Sequence, residues 1–116
     1  MSIRAERAAS TRQALVTAAR AHFAERGFAA TSTNDVVEAA GVTRGALYHH
    51  FPTKEALFEA VYEAVENEIV GRVVEALGSV ADPIGQLAAG MEAFLDACLE
   101  PAVRRIVLLE GPSVLG

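Results

Sequence analysis

Residues 43–54 form a short basic and aromatic stretch with no acidic residue. The guanidinium of Arg44 can donate two hydrogen bonds to a guanine edge, and Gly45 allows a backbone to approach closely. The side chains of Tyr48, His49 and His50 are suited to phosphate contacts. We therefore predict a DNA-contacting set in this stretch: Thr43, Arg44, Gly45, Ala46, Tyr48, His49, His50 and Lys54.

Lys54 enters this set for a different reason from the others. Pro52 and Thr53 precede it, so the sequence predicts a helix that begins at Lys54 with Thr53 as its cap. A cation in a first helical turn opposes the helix dipole at a cost of up to ~1 kcal/mol. We expect a compensating anion there, and a DNA phosphate would supply it.

The residues before this stretch predict how it is positioned. Ser32 followed by Asp35 has the spacing of a capping box, which predicts the start of a short helix. Gly41 is placed to end that helix and Thr43 to cap the next one. Two helices joined by so short a turn must cross steeply. That is helix-turn-helix geometry, in which the second helix lies in the major groove.

Helical patterns continue on both sides. A first helix is predicted to open at Ser10 and end at Gly27, leaving residues 1–9 as an irregular terminus or a basic arm. A long helix is predicted from Lys54 to about residue 77. Another should run from Pro83 to Pro101, and a final one over residues 102–110, interrupted by the Gly-Pro pair that follows.

Charge is divided unevenly between the two parts of the chain. Residues 1–54 hold seven Lys or Arg against four Asp or Glu, whereas residues 55–116 hold three against eleven. Because phosphate attraction is screened within ~10 Å, the basic part can bind DNA although the net charge is −5. No apolar run is long enough for a membrane span, and a single cysteine excludes an internal disulfide, so we expect a cytoplasmic protein.

Residues 10–56 resemble the DNA-binding domain of the tetracycline-repressor (TetR) family of bacterial transcriptional regulators. The resemblance is carried by AGVTRGALYHHFPTKEAL and the preceding FAERGFAATS, and more weakly by VLLEGPSVLG near the end. It implies an all-α fold, with a three-helix helix-turn-helix head in residues 1–53 and a helical regulatory domain from residue 54 onward. It also implies a repressor that binds a palindromic operator as a homodimer.

The regulatory part is where the sequence departs from the family. Members normally continue through further helices that complete an effector cavity and a dimer interface, so we expect residues 54–116 to be an incomplete domain that dimerises weakly. In the family the corresponding helices line the cavity, which implies a largely apolar effector near Met91, Phe94, Leu95 and Cys98. An ordinary core would produce the same apolar stripe, so both interpretations stay open.

Two other classes of protein fit the sequence less well. The sequence has no glycine-rich phosphate loop and no hydrolase or metalloprotease motif, and adjacent His49 and His50 would point ~100° apart on a helix, so we expect no catalytic residue, metal or cofactor. A helical adaptor that binds only protein is the stronger competitor. Such an adaptor would not require exposed cationic and aromatic side chains in a stretch without acidic residues, such as residues 43–54.

Overall fold

The computed structural model describes residues 2–116, and every regular element in that range is helical, which confirms the all-α prediction. No helix within this range is both long and apolar enough to cross a membrane. The elements are α1 (Ile3–Arg26), α2 (Thr33–Ala40), α3 (Arg44–His50), α4 (Lys54–Gly78), α5 (Pro83–Leu99), α6 (Pro101–Val103), a π-helical segment (Arg104–Glu110) and α7 (Gly111–Leu115).

The predicted helix boundaries around α2 and α3 are confirmed. The Asp35 N–H donates to Ser32 Oγ at 3.0 Å and the Ser32 N–H donates back to the Asp35 carboxylate at 3.2 Å. Gly41 ends α2 in the left-handed conformation, with φ 69°, which costs glycine little. Thr43 then caps α3 by accepting the Ala46 N–H at 3.1 Å. These local interactions fix the short turn between the two helices.

The first helix begins earlier than predicted. Ser2, not Ser10, is its cap, and its hydroxyl accepts the Ala5 N–H at 3.1 Å. The residues that follow are mostly alanine, arginine and glutamate, which favour helix, so α1 extends back to Ile3. The predicted irregular terminus is therefore wrong for residues 3–9, and Met1 lies outside the described residues.

The end of the chain also differs from the prediction, because the helix is not interrupted at Gly111 and Pro112. The Gly111 N–H bonds to the Ile106 carbonyl five residues earlier, which is the π-helical pattern. Pro112 then falls in the first turn of α7, the part of a helix that tolerates proline best. The wider π turn thus lets the chain pass through Gly-Pro and stay helical to Leu115.

A single hydrophobic core runs through the molecule and joins α4 to the first three helices. At its centre the rings of Phe23, Phe28 and Phe58 lie 5.3–5.6 Å apart, which brings α1, the α1–α2 corner and α4 together. Such ring spacing is typical of favourable aromatic pairs. The core thus crosses the predicted boundary between residues 53 and 54, and that division of the chain stays a prediction.

The second half of α4 packs antiparallel to α5 with few buried side chains. Gly90 allows the close approach, since a Cβ there would lie 3.2 Å from the Leu77 side chain. Beyond that contact, Arg72 donates to both oxygens of Glu100 at 2.9 and 3.2 Å, which ties α4 to the end of α5. Most of the apolar face of α5 stays exposed.

Candidate nucleic-acid interface

Helix α3 is anchored by its apolar edge and presents its polar edge to solvent. Leu47 is fully buried and Phe51, just after the helix, is nearly so. The predicted set divides accordingly: Thr43, Arg44, Gly45, Tyr48 and His49 are exposed, and Ala46, His50 and Lys54 are half-buried. Seven members of the predicted set, Thr43 and those on α3, therefore lie on or next to a helix held by its opposite edge, and the eighth, Lys54, begins α4 four residues after α3 ends.

Tyr48 links α3 to the start of α2. Its hydroxyl shares a hydrogen bond of 3.4 Å with the hydroxyl of Thr33. This bond, followed by the guanidinium of Arg44, lowers the pKa of the Tyr48 phenol below its ordinary value. Residue spacing does not predict this role of Thr33, because the contact depends on the crossing of α2 and α3.

Lys54 has a partner that the sequence did not reveal. Its ammonium nitrogen lies 4.2 Å from the centroid of the Phe28 ring, in cation–π geometry. The ring face partly compensates the cation that opposes the α4 dipole. It also holds Lys54 against the corner between α1 and α2.

A second basic residue, Arg12, lies beside the end of α3 and was not predicted. Its guanidinium is 5.2 Å from the centroid of the Phe51 ring. Spacing along the sequence carries no signal for such a pair.

The neighbouring rings of His49 and His50 lie 5.2 Å apart, edge to face, and no cluster of three or more metal-ligating side chains occurs among residues 2–116.

Of the four residues considered for an effector, three line one groove and one does not. An open groove of about 520 Å³ lies between α4 and α5, and Met91, Phe94 and Leu95 line it with Val73, Leu77, Gln86, Leu87 and Gly90. Cys98 is half-buried and is not part of its lining. The groove is almost entirely apolar, with the Gln86 amide at one end, where it donates to the Val80 carbonyl at 3.1 Å.

This arrangement is a helix-turn-helix head continuous with a helical hairpin, and comparisons with known proteins match both parts. Residues 15–61 match the family described as bacterial regulatory proteins, tetR family. Residues 84–116 match the tetracyclin repressor-like C-terminal domain. The chain belongs to the TetR family of bacterial regulatory proteins, which are not enzymes.

Individual relatives support the same assignment. The chain is 37% identical over 79 residues to the HTH-type transcriptional repressor KstR2 of Mycolicibacterium smegmatis, covering 68% of this chain and 38% of the repressor. It is 36% identical over 104 residues to the HTH-type transcriptional regulator TtgR of Pseudomonas putida, covering 87% of this chain and 49% of that protein. The chain therefore spans less than half the length of either relative.

A solved structure extends the likeness to almost every residue. The crystal structure of a TetR-family transcriptional regulator from Pectobacterium atrosepticum superposes with a TM-score of 0.85 and 40% identity, covering 99% of this chain and 59% of that one. A second family member, from Marinobacter aquaeolei, superposes with a TM-score of 0.74 at 25% identity, covering 87% of this chain and 53% of its own. The head and the α4–α5 hairpin thus have the arrangement found in family members.

Proposed function

We propose that this protein is a DNA-binding transcriptional regulator, most simply a repressor, that places α3 in the major groove of a palindromic operator. The observation that carries the proposal is the exposed edge of α3, where Arg44, Gly45, Tyr48 and His49 face solvent on a helix anchored by Leu47. Helix-turn-helix proteins read base edges from such a helix. Family relatives described as repressors support the same activity.

The distribution of charge supports DNA as the partner. The head carries the excess of cations, while the acidic residues are concentrated in residues 55–116. Since α3 and Lys54 lie in the basic part, phosphates approaching the head meet mostly positive charge. A protein-only adaptor gains nothing from this arrangement. We propose that two copies bind one operator, because a pair of heads related by two-fold symmetry requires palindromic half-sites.

Selection of bound duplexes from a random DNA pool tests the proposal directly. We expect recovery of a palindrome with half-sites about one helical turn, ~34 Å, apart or a multiple of it. A single asymmetric site would contradict dimeric use. Recovery of no preferred sequence at low salt would contradict sequence-specific recognition and favour the adaptor.

The Lys54 contact gives the first prediction for variants. We expect Lys54→Ala to weaken binding to all duplexes alike and to reduce the slope of log K against log salt by about one per subunit, since the residue would contact only phosphate. Titrations at several salt concentrations measure this slope. Arg104→Ala is the matched control, because Arg104 is an exposed cation outside the head. Equal slopes for Lys54→Ala and the unchanged protein would contradict the assignment.

The groove between α4 and α5 gives a second prediction. We propose that it takes part in binding a largely apolar effector that lowers operator affinity, with Met91, Phe94 and Leu95 among the contacts. Phe94 is 49% exposed, so Phe94→Ala should leave folding and ligand-free DNA binding nearly unchanged. It should weaken binding of an apolar probe such as a naphthalene-sulfonate dye, followed by fluorescence. Unchanged dye affinity would remove Phe94 from the site.

A further inference from the structure

The π-helical segment contacts the corner that joins α1 to α2. Glu110 accepts a hydrogen bond from the Phe28 N–H at 3.3 Å. Arg105 donates to the Glu25 carbonyl at 3.1 Å, at the end of α1. Arg105 Nε and the same Glu110 oxygen lie 3.7 Å apart. One ion pair, about eighty residues away along the chain, thus satisfies two backbone groups at the end of α1 that the helix itself leaves unpaired.

Gly27 makes room for this pair. A Cβ on Gly27 would lie 2.5 Å from the Glu110 carboxylate and 2.7 Å from the Arg105 guanidinium. Its φ of 86° is also in the region that favours glycine. The corner is therefore shaped so that both charged side chains can lie directly against its backbone.

The corner in turn determines where α2 begins. The buried hydroxyl of Thr31 donates to the Gly27 carbonyl at 2.8 Å, and Ser32 follows immediately as the α2 cap. From the first turn of α2, Thr33 reaches the hydroxyl of Tyr48 on α3. Hydrogen bonds at the corner and at the start of α2, joined by the backbone between them, therefore connect Glu110 with α3.

We infer that Arg105 and Glu110 are positioning residues for DNA recognition: they hold the α1–α2 corner, and through it the orientation of α2 and α3. The inference rests on the proposed DNA-binding function. Neither residue belongs to the surface formed by α3 and Lys54. Their effect on DNA affinity is transmitted through the corner backbone.

The test compares Glu110→Ala and Arg105→Ala with Arg72→Ala. Arg72, whose side chain is as exposed as that of Arg105, forms an ion pair with Glu100 away from the corner, and so controls for the general loss of a surface arginine and its ion pair. Affinity is measured for the duplex selected by the unchanged chain, at a temperature where each variant is folded. We expect about three- to tenfold weaker binding for each corner variant, the change that follows from losing the net contribution of one ordinary, partly solvated hydrogen bond. Arg72→Ala should stay within about twofold.

Three further measurements separate positioning from general stability. The double variant should lose less DNA affinity than the product of the fold-losses of Glu110→Ala and Arg105→Ala, since both side chains act on one corner. Amide hydrogen exchange should quicken at Phe28 and within α2 in Glu110→Ala, while the α4 amides between Leu57 and Val65 stay protected. Glu110→Gln keeps an acceptor for the Phe28 N–H and should recover most of the affinity. If Glu110→Ala does not fold, the DNA affinity of Glu110→Gln is compared with that of Arg105→Ala instead.

The outcomes are distinct for the inference and for the proposed function. If Glu110→Ala and Glu110→Gln bind as the parent does while Arg44→Ala loses affinity, the positioning role is wrong and DNA recognition stands. An equal loss for Arg72→Ala would also overturn the positioning role. If the unchanged chain selects no duplex, the proposed function fails and the inference with it.

Discussion

Phe58→Ala is expected to lower the free energy of unfolding by about 3–5 kcal/mol, as found for alanine replacements of large buried aromatics. Phe58 is fully buried and its ring lies against both Phe23 and Phe28. Its removal leaves a cavity where α4 meets the head. A loss of this size is a large part of the stability of a small domain. Urea unfolding followed by helical ellipticity measures it.

Phe94→Ala is the matched control, because the chemical change is the same and the environment differs. Phe94 is half exposed on α5, so we expect a loss below about 1 kcal/mol. Similar losses for both variants would show that the aromatic cluster does not join α4 to the head as tightly as its geometry indicates. The comparison also shows whether Phe94 is free to contact a ligand.

Arg44→Ala is expected to cost ~1–3 kcal/mol of binding free energy on the selected operator and to relax the preference at one base pair per half-site. Arg44 is exposed in the first turn of α3, on the same edge as Tyr48. Because it is outside the core, the variant should fold normally. Titrations on the operator and on a scrambled duplex measure the two effects separately.

Sequence preference distinguishes this role from a phosphate contact. Arg44→Ala should lose much more affinity on the operator than on the scrambled duplex, whereas Lys54→Ala should lose equally on both. If Arg44→Ala lost equally on both duplexes, Arg44 would be a phosphate contact. Arg104→Ala again supplies the control for removing an exposed cation that is not in the predicted DNA-contacting set.

The helix boundaries that depend on local signals could be predicted from the sequence. Helix caps and turns depend on single residues or on residues a few positions apart, so the sequence shows them directly. The capping box of Ser32 and Asp35, the αL turn at Gly41 and the cap at Thr43 are all confirmed. The same signals predicted the start of α4 at Lys54 and that of α5 at Pro83, and in the structure Asp82 caps α5. These boundaries also determine which of the predicted DNA-contacting residues lie on α3.

Interactions between distant segments could not be predicted in this way. Lys54 on Phe28, Arg12 on Phe51 and Glu110 on the Phe28 amide depend on how helices cross, and no residue spacing encodes them. The two wrong helix boundaries have different causes. At the start, strong helix propensity let Ser2 take the role predicted for Ser10. At the end, the π turn admitted a Gly-Pro pair that would interrupt a regular α-helix.

Helix α4 contributes to both ends of the molecule without a break. Its 25 residues make a rod of ~37 Å, whose first half lies in the core of the head and whose last turns, at Val73 and Leu77, form one wall of the groove. A rod of this length acts as a lever arm: a tilt of only ~5° about one end displaces the other by ~3 Å. That displacement is about the length of a hydrogen bond. A rearrangement too small to disturb the packing of α5 would therefore move α3 by enough to break the base contacts that we propose for it.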